Sequence, residues 1–140
     1  MNKRKLNFKL ILLLATWLVS FSAFAVNNAP QFSSPKNKIF VTPTQSQFTI
    51  TLKSNPTQGY AWKVASLDKT MFENVDHQYV APTNTLSTTS GYEVWTFHAL
   101  YPKTPFAVNQ VGHVFMEYKN KAKDKNPLKV YHFTVVMKKK

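Results

Sequence analysis

The sequence predicts an all-β domain, and two patterns in the chain support this prediction. First, short runs of apolar and polar residues alternate at period two, as in residues 48–52, where Phe48, Ile50 and Leu52 share one face. Second, turn-forming residues separate these runs, and no long stretch keeps the 3.6-residue spacing of an amphipathic helix. Only residues 68–72 are compatible with a short turn of helix.

Seven strands are predicted, each bounded by turn residues. They are residues 38–42, 47–53, 60–66, 74–81, 91–101, 111–119 and 129–138. Seven short strands with turn signals between them are typical of an immunoglobulin-like β-sandwich.

Alternation within the strands predicts which side chains form the core. In the fifth strand the predicted core face carries Trp95, Phe97 and Ala99, opposite a partly exposed face. The two faces of the last strand are both largely apolar. One carries Tyr131, Phe133, Val135 and Met137, and the other carries Val130, His132, Thr134 and Val136. We therefore expect a central strand whose second face is covered by neighbouring side chains.

The first 25 residues have the pattern of a secretory signal peptide. A basic front is followed by an apolar run over residues 10–19, and Ala23 and Ala25 supply the small residues of a cleavage site. The alternative is a membrane anchor, but the apolar run is shorter than the roughly 20 residues of a membrane span. We expect cleavage after Ala25, a mobile lead-in over residues 26–36, a domain over 37–140, and an exported protein, periplasmic or secreted, without stable membrane insertion.

Charge and cysteine content narrow the function classes. Four of the 18 Lys and Arg residues lie in the signal segment, which leaves 14 against six acidic residues and a net charge of about +8. The chain has no cysteine, so packing alone must stabilise the single domain. Although a basic domain suits nucleic acid, an exported protein rarely meets any, so we expect no nucleic-acid partner and a monomer.

Catalytic patterns are missing from the sequence. It contains no cysteine nucleophile, no Gly-x-Ser-x-Gly elbow and no glycine-rich phosphate loop. The four histidines fall on separate predicted strands without the paired spacing of metal ligands, and the six acidic residues show no acid/base pair. These patterns favour a binding protein, without cofactor or metal, over an enzyme.

One loop has an unusual composition. Residues 55–60 read Asn55, Pro56, Thr57, Gln58, Gly59 and Tyr60, and Trp62 follows. Proline fixes its own φ and restricts the residue before it, while glycine permits a positive φ, so the segment predicts a rigid turn exposed at the tip of a β-structure. The simpler interpretation is a loop that only reverses the chain.

This loop resembles the first binding loop of the chagasin family, inhibitors of papain-like cysteine peptidases. Asn55, Pro56, Thr57, Gly59 and the aromatic Tyr60 match the family motif, and Gln58 stands where Thr is usual. The resemblance extends over about residues 38–137. It implies that three loops at one end of a sandwich enter the peptidase cleft, that Thr57 makes the central contact, and that inhibition is noncovalent occlusion.

The other two loops depart from the family pattern. Where Gly-x-Gly-Gly is expected, the chain has Thr88, Thr89, Ser90 and Gly91, which keeps only the last glycine. Where Arg-Pro-Trp is expected, it has Asn120, Lys121 and Ala122. A buried Trp anchor is typically worth roughly 2–4 kcal/mol at an interface, so its loss would weaken binding by about 30- to 1,000-fold.

Two functions from different classes follow. The first is an exported inhibitor whose partner is a papain-like cysteine peptidase. The second is a non-inhibitory module that binds anionic surfaces, lipid headgroups or acidic polysaccharide, through the lysine-rich loop of residues 119–129. Salt separates them, because adsorption through exposed lysines weakens as ionic strength rises, whereas inhibition through a packed loop persists.

Overall fold

The computed structural model describes residues 31–82, 90–120, 122–123 and 125–139. The predicted signal peptide, most of the second predicted loop and Lys121 lie outside these residues. Within the described part of the chain, no helix has the length and apolar character needed to cross a membrane.

The domain is all-β and contains seven strands, as the sequence predicted. They are β1 (Ile39–Val41), β2 (Gln47–Ser54), β3 (Tyr60–Leu67), β4 (Phe72–Val80), β5 (Gly91–Ala99), β6 (Gln110–Asn120) and β7 (Lys129–Met137). A single 3₁₀ turn, Pro56–Gln58, joins β2 to β3. The predicted turn before β4 is also present, since the amides of Met71 and Phe72 donate to the carbonyl oxygen of Asp68 at 2.8 and 2.9 Å.

The strands form two sheets of a sandwich. One has four strands in the order β1-β7-β6-β3, and the other has three in the order β2-β5-β4. β1 pairs in parallel with β7, and the other pairs are antiparallel. The predicted central position of β7 is confirmed, because it lies between β1 and β6.

The core lies between the sheets and is mainly aromatic and aliphatic. The predicted core face of β5 is confirmed, since Trp95, Phe97 and Ala99 are all buried. Phe48 stacks on Phe97 at 5.3 Å between ring centroids and meets Phe72 edge-on at 5.6 Å. These three rings lie on the three-stranded sheet and belong to one apolar cluster with buried residues of the other sheet, such as Phe133, which stabilises the domain through burial.

The outer face of β7 is only partly covered, which corrects the sequence prediction. Val136 is buried on this face, but Val130 is 56 % exposed and His132 is exposed. An apolar side chain on a strand does not by itself require cover, because much of the surface of a folded protein is apolar.

Part of the predicted lead-in contacts the domain. The amide of Ser33 donates to the carbonyl oxygen of Thr51 at 2.8 Å, and the amide of Thr51 donates to the Ser33 hydroxyl at 3.0 Å. Phe32 meets the ring of Tyr92 edge-on at 6.1 Å. Residues 32–33 therefore lie along the outer edge of β2, which has no other strand on that side among the described residues.

Candidate functional site

Strand register brings the three loops suggested by the sequence to one end of the sandwich. Ser54, the last residue of β2, is paired with Gly91, the first of β5. Tyr60, the first residue of β3, is paired with Asn120, the last of β6. We call residues 55–59 the first loop, 81–90 the second and 121–128 the third. All three begin or end at the same edge of the domain, which we call the loop end.

The first loop is a tight turn with an exposed tip. Its 3₁₀ turn ends at Gly59, which has a φ of 78° and donates its amide to the carbonyl oxygen of Pro56 at 2.8 Å. This φ lies in the left-handed region that glycine tolerates best. The Thr57 hydroxyl donates to Asn55 Oδ1 at 2.5 Å. Pro56, Thr57 and Gln58 are exposed, so the tip is available to a partner.

Side chains at the end of β6 hold the first loop in place. The amide of Asn55 donates to the hydroxyl of Tyr118 at 2.9 Å, which fixes the start of the loop. Asn120 Nδ2 donates to the carbonyl oxygen of Gln58 at 2.9 Å, which fixes its end. A Cβ at position 59 would lie 2.8 Å from Asn120 Nδ2, so Gly59 is required both by its φ and by this close approach.

An aromatic stack supports the first loop from below. Tyr60 stacks on Tyr118 with ring centroids 5.4 Å apart, and Trp62 contacts Tyr118 at 5.0 Å and Tyr131 at 4.9 Å. The indole of Trp62 donates to the carbonyl oxygen of Lys53 at 2.9 Å. Rings of this size have few rotamers and large buried areas, so they form a stiff base for the loop.

The second loop ends at Gly91, the first residue of β5, which lies close to β4. Gly91 is buried, and a Cβ there would lie 2.3 Å from the carbonyl oxygen of Val80. No side chain is compatible with this approach, so the one glycine kept from the family pattern has a structural reason. Ser90 is half-buried beside it, whereas Thr88 and Thr89 lie outside the described residues.

The third loop follows the buried Asn120 and has several exposed residues. Asn120 is buried, and its Oδ1 accepts the amide of Ala122 at 3.0 Å. Ala122, Lys123 and Lys125 are exposed, and Lys121 lies outside the described residues. The loop sequence contains no aromatic residue. Its described surface is therefore basic and lacks an aromatic anchor, and Leu128 is an exposed large apolar side chain on it.

Polar burial is concentrated at the loop end. The buried polar side chains of the described residues are Ser54, Glu93 and Asn120, and each lies within three residues of a loop. The sequence analysis identified Asn120 but missed Ser54 and Glu93 as site residues. A signal for Glu93 was present, because an acidic residue occupies the same face of β5 as Trp95 and Phe97.

Each of the four histidines has a side-chain partner in the structure, although the sequence suggested isolated histidines. His132 Nε2 lies 2.8 Å from His113 Nδ1 on the outer face of β6 and β7, and His98 and His77 contact Glu73 and Glu93 at 3.0 and 2.8 Å. Within the described ranges, no group of three or more His, Cys, Asp or Glu side chains could hold a metal ion.

Comparison with known proteins places this arrangement in a family. The model of the chagasin family of peptidase inhibitors, I42, matches residues 42–135, about two thirds of the chain. The chain belongs to the chagasin family. It is therefore an inhibitor-family protein rather than an enzyme, as the sequence predicted. No curated protein matches the sequence.

A solved structure shares the fold of this chagasin-family protein. The cysteine protease inhibitor EhICP2 from Entamoeba histolytica superposes with a TM-score of 0.54 at 17 % identity, over 71 % of this chain and 95 % of that one. Amebosin gives a TM-score of 0.47 at 19 % identity, over 73 % and 99 % of the two chains. The likeness to EhICP2 supports the sandwich fold.

Proposed function

We propose that the protein inhibits papain-like cysteine peptidases by noncovalent occlusion, with its three loops entering the active-site cleft. The observation that supports this most is the first loop, whose exposed tip is fixed from below by Tyr118 and Asn120. A loop already held in one conformation loses little entropy on binding, so its contacts translate more fully into affinity.

The proposed mechanism assigns separate tasks to parts of the first loop. Thr57, at the tip, lies over the catalytic cysteine and histidine of the peptidase. Gly59 and Pro56 set the backbone path, and Tyr60 anchors the loop to the aromatic stack. Because these contacts hold the backbone rigidly, the peptidase nucleophile meets a peptide unit that cannot rotate into a geometry suited to attack.

The other two loops have weaker contacts in this proposal. The second loop, at Ser90, meets one wall of the cleft and the third loop, at Ala122, meets the other, while the buried Gly91 and Asn120 support these loops from within the domain. Without an aromatic anchor in the third loop, affinity depends mainly on the first. The exposed lysines at positions 123 and 125 would speed association with a peptidase whose cleft rim is acidic.

Export is part of the same proposal. The basic front, apolar run and Ala23-to-Ala25 cleavage site of the first 25 residues support a signal peptide. The mature inhibitor would then act in the periplasm or outside the cell as a monomer.

A second candidate function is adsorption to anionic surfaces. It is supported by Lys123, Lys125 and Lys129, which are exposed at the loop end. Each lysine near an anionic membrane adds on the order of 1 kcal/mol, which suffices for weak adsorption. This binding would not involve Thr57.

The deciding experiment compares Thr57→Arg with Thr44→Arg. Both threonines are exposed, and Thr44 lies in the turn between β1 and β2, away from the loop end. We expect the unmutated mature chain to inhibit papain or a cathepsin L-like peptidase, Thr57→Arg to weaken inhibition by about tenfold or more, and Thr44→Arg to leave it unchanged.

The same titration at low and high salt addresses the second candidate. Inhibition through the first loop should persist as salt rises, because its contacts are packed rather than ionic. Equal potency of Thr57→Arg and the unmutated chain would contradict the proposed contact. Binding to anionic vesicles that is lost in high salt, without inhibition of either peptidase, would favour the surface-binding module.

A further inference from the structure

Glu93 is a buried carboxylate at the loop end that connects its own strand to three others. It is 3 % exposed, and its Oε1 accepts the Ser54 hydroxyl at 2.5 Å and the amide of Trp62 at 3.0 Å. Its Oε2 lies 2.8 Å from His77 Nε2. Glu93 is on β5, and its partners are on β2, β3 and β4. The carboxylate therefore links both sheets of the sandwich.

Two of these partners are the stems of the first loop. Ser54 immediately precedes Asn55, and Trp62 follows Tyr60 by two residues. β2 and β3 belong to different sheets, so no ladder of backbone hydrogen bonds ties the stems together. β3 is an edge strand, and the Trp62 amide that donates to Glu93 points away from its partner β6. One carboxylate oxygen thus bridges the two stems.

A carboxylate at this position is costly for stability alone. Burial of a charge is unfavourable unless hydrogen bonds and an opposite charge compensate it, and an apolar side chain of similar volume often stabilises a core as well or better. Glu93 occupies the face of β5 that Trp95 and Phe97 otherwise fill with apolar groups. Its hydrogen bonds fix the relative positions of three partners, which an apolar residue would not do.

The third partner is held by its own packing. The imidazole of His77 stacks on the indole of Trp95, with centroids 3.7 Å apart and planes inclined by 16°. This stack positions Nε2 opposite the second carboxylate oxygen. His77 thereby orients Glu93 from β4, the strand that leads into the second loop.

We propose that Glu93 is a positioning residue for inhibition: it fixes the separation of the two stems of the first loop and so the presentation of Thr57. This inference rests on the proposed function, because its importance for inhibition requires that the first loop binds the peptidase. The hydrogen-bond bridge is a property of the free protein and can be measured without any peptidase.

The test compares Glu93→Gln with Glu93→Met. The amide oxygen of Gln accepts from Ser54 and Trp62, and its amino group donates to His77 Nε2 in the tautomer that carries its proton on Nδ1, so the hydrogen bonds are retained. Met has similar volume but no strong acceptor. We expect Glu93→Gln to inhibit within about threefold of the unmutated chain, and Glu93→Met to be at least about tenfold weaker per mole of folded protein, through faster dissociation.

Hydrogen exchange of the Trp62 amide supplies a readout that does not depend on inhibition. It should be faster in Glu93→Met and unchanged in Glu93→Gln. Val114→Ala, at a fully buried site on β6, is the matched control for lost stability. It should leave both Trp62 exchange at low temperature and inhibition per mole of folded protein unchanged.

Each outcome bears on the proposal. Should Glu93→Met fold but retain full inhibition and slow Trp62 exchange, Glu93 is not a positioning residue. Should Glu93→Met fail to fold, Ser54→Ala is the deciding variant, because it removes one donor and leaves the carboxylate its other two partners. Ser54→Ala should weaken inhibition by about threefold. Unchanged inhibition in this variant would overturn the proposal. If the unmutated chain inhibits no peptidase while Trp62 exchange responds as expected, the proposed function fails and the positioning of the loop stands.

Discussion

Asn120 Nδ2 donates a hydrogen bond to the carbonyl oxygen of Gln58 at 2.9 Å, although the two residues are 62 positions apart. The Asn120 side chain is buried, and its Oδ1 accepts the amide of Ala122 in the third loop. One amide group therefore holds the end of the first loop and the start of the third. The two loops should lose order together when this side chain is removed.

Replacement of Asn120 by Ala tests this relationship. It leaves the Gln58 carbonyl and the Ala122 amide without their partner, at a cost to unfolding free energy of about 1 kcal/mol. We expect inhibition of a papain-like peptidase to weaken by about tenfold per mole of folded protein. Inhibition constants and thermal unfolding, measured together, separate the two effects.

Asn109→Ala is the matched control for this change. Asn109 Oδ1 accepts the amide of Lys139 at 2.9 Å, at the end of the domain opposite the loops. Its removal deletes an exposed hydrogen bond between a side chain and the backbone, far from the proposed contact, so inhibition should not change. Equal losses of inhibition in both variants would refute a specific role for Asn120.

Gly59→Val should separate loop conformation from domain stability. A β-branched residue at a φ of 78° is strained by roughly 1–3 kcal/mol, and its Cβ would press on Asn120. Because the tip is exposed and lies outside the core, the domain should fold and its melting temperature should fall only modestly, while inhibition drops by about tenfold or more.

Gly112→Ala is a control that alters the core and leaves the first loop intact. A Cβ at this buried glycine would lie 2.4 Å from the ring of Phe72, so the substitution strains the core. We expect a lower melting temperature and unaltered inhibition per mole of folded protein. If Gly59→Val inhibited as well as Gly112→Ala, the conformation of the first loop would be irrelevant to binding.

Ionisation of Tyr101 should lower the unfolding free energy of the domain in alkaline solution. Its hydroxyl donates to the carbonyl oxygens of Val41 and Lys138 at 2.9 and 3.3 Å, and burial raises the pKa of the phenol above its ordinary value. The unfolded chain therefore loses this proton first, near pH 10. The contribution of Tyr101 is complete below that pH and is lost as pH rises through the folded-state pKa.

Denaturant titrations between about pH 8 and pH 11 check this expectation. Tyr101→Phe removes the ionisable group, so its unfolding free energy should start lower, because the hydrogen bonds are gone, and then decline less steeply with pH. All other ionisable groups are common to both proteins, so only the difference between the two curves is informative. Parallel curves would show that Tyr101 is not responsible.

The predicted signal peptide can be tested through the mass of the mature protein. We expect mass spectrometry of the mature protein to find Val26 at the N-terminus, because Ala23 and Ala25 supply the small residues of the cleavage site. Ala25→Lys is a suitable comparison, since it should slow cleavage without altering the domain. A mature protein that retains the first 25 residues would contradict the predicted signal peptide.

The sequence was sufficient to predict the strands because their signals are local. Period-two alternation located β5 and its core face, and Pro56 and Gly59 located the first loop, since each pattern depends only on neighbouring residues. The sheet partners of each strand were not predicted. The exposed Val130 shows the same limit, because cover from another element cannot be deduced from the alternation of one strand.

The supporting residues of the site were harder to predict than its tip. Ser54 and Glu93 are 39 positions apart, and His77 and Glu93 are 16 apart. Glu93 stands out because it shares a face of β5 with Trp95 and Phe97, but its partners could not be deduced, since only the folded arrangement brings these residues together. Asn120 was identified through its position in the family pattern, but its bond to Gln58 depends on the pairing of β3 with β6.

The direction of β7 determines how the protein can be attached to a surface. β7 runs from the third loop to Met137, so Lys138 and Lys139 are at the far end of the domain. Capture through a C-terminal tag would direct the three loops toward solution and leave them accessible to a peptidase. Coupling through lysine amines would instead modify Lys123 and Lys125 as well and bury the loops against the support. Orientation on a sensor chip is therefore decided by the choice of chemistry.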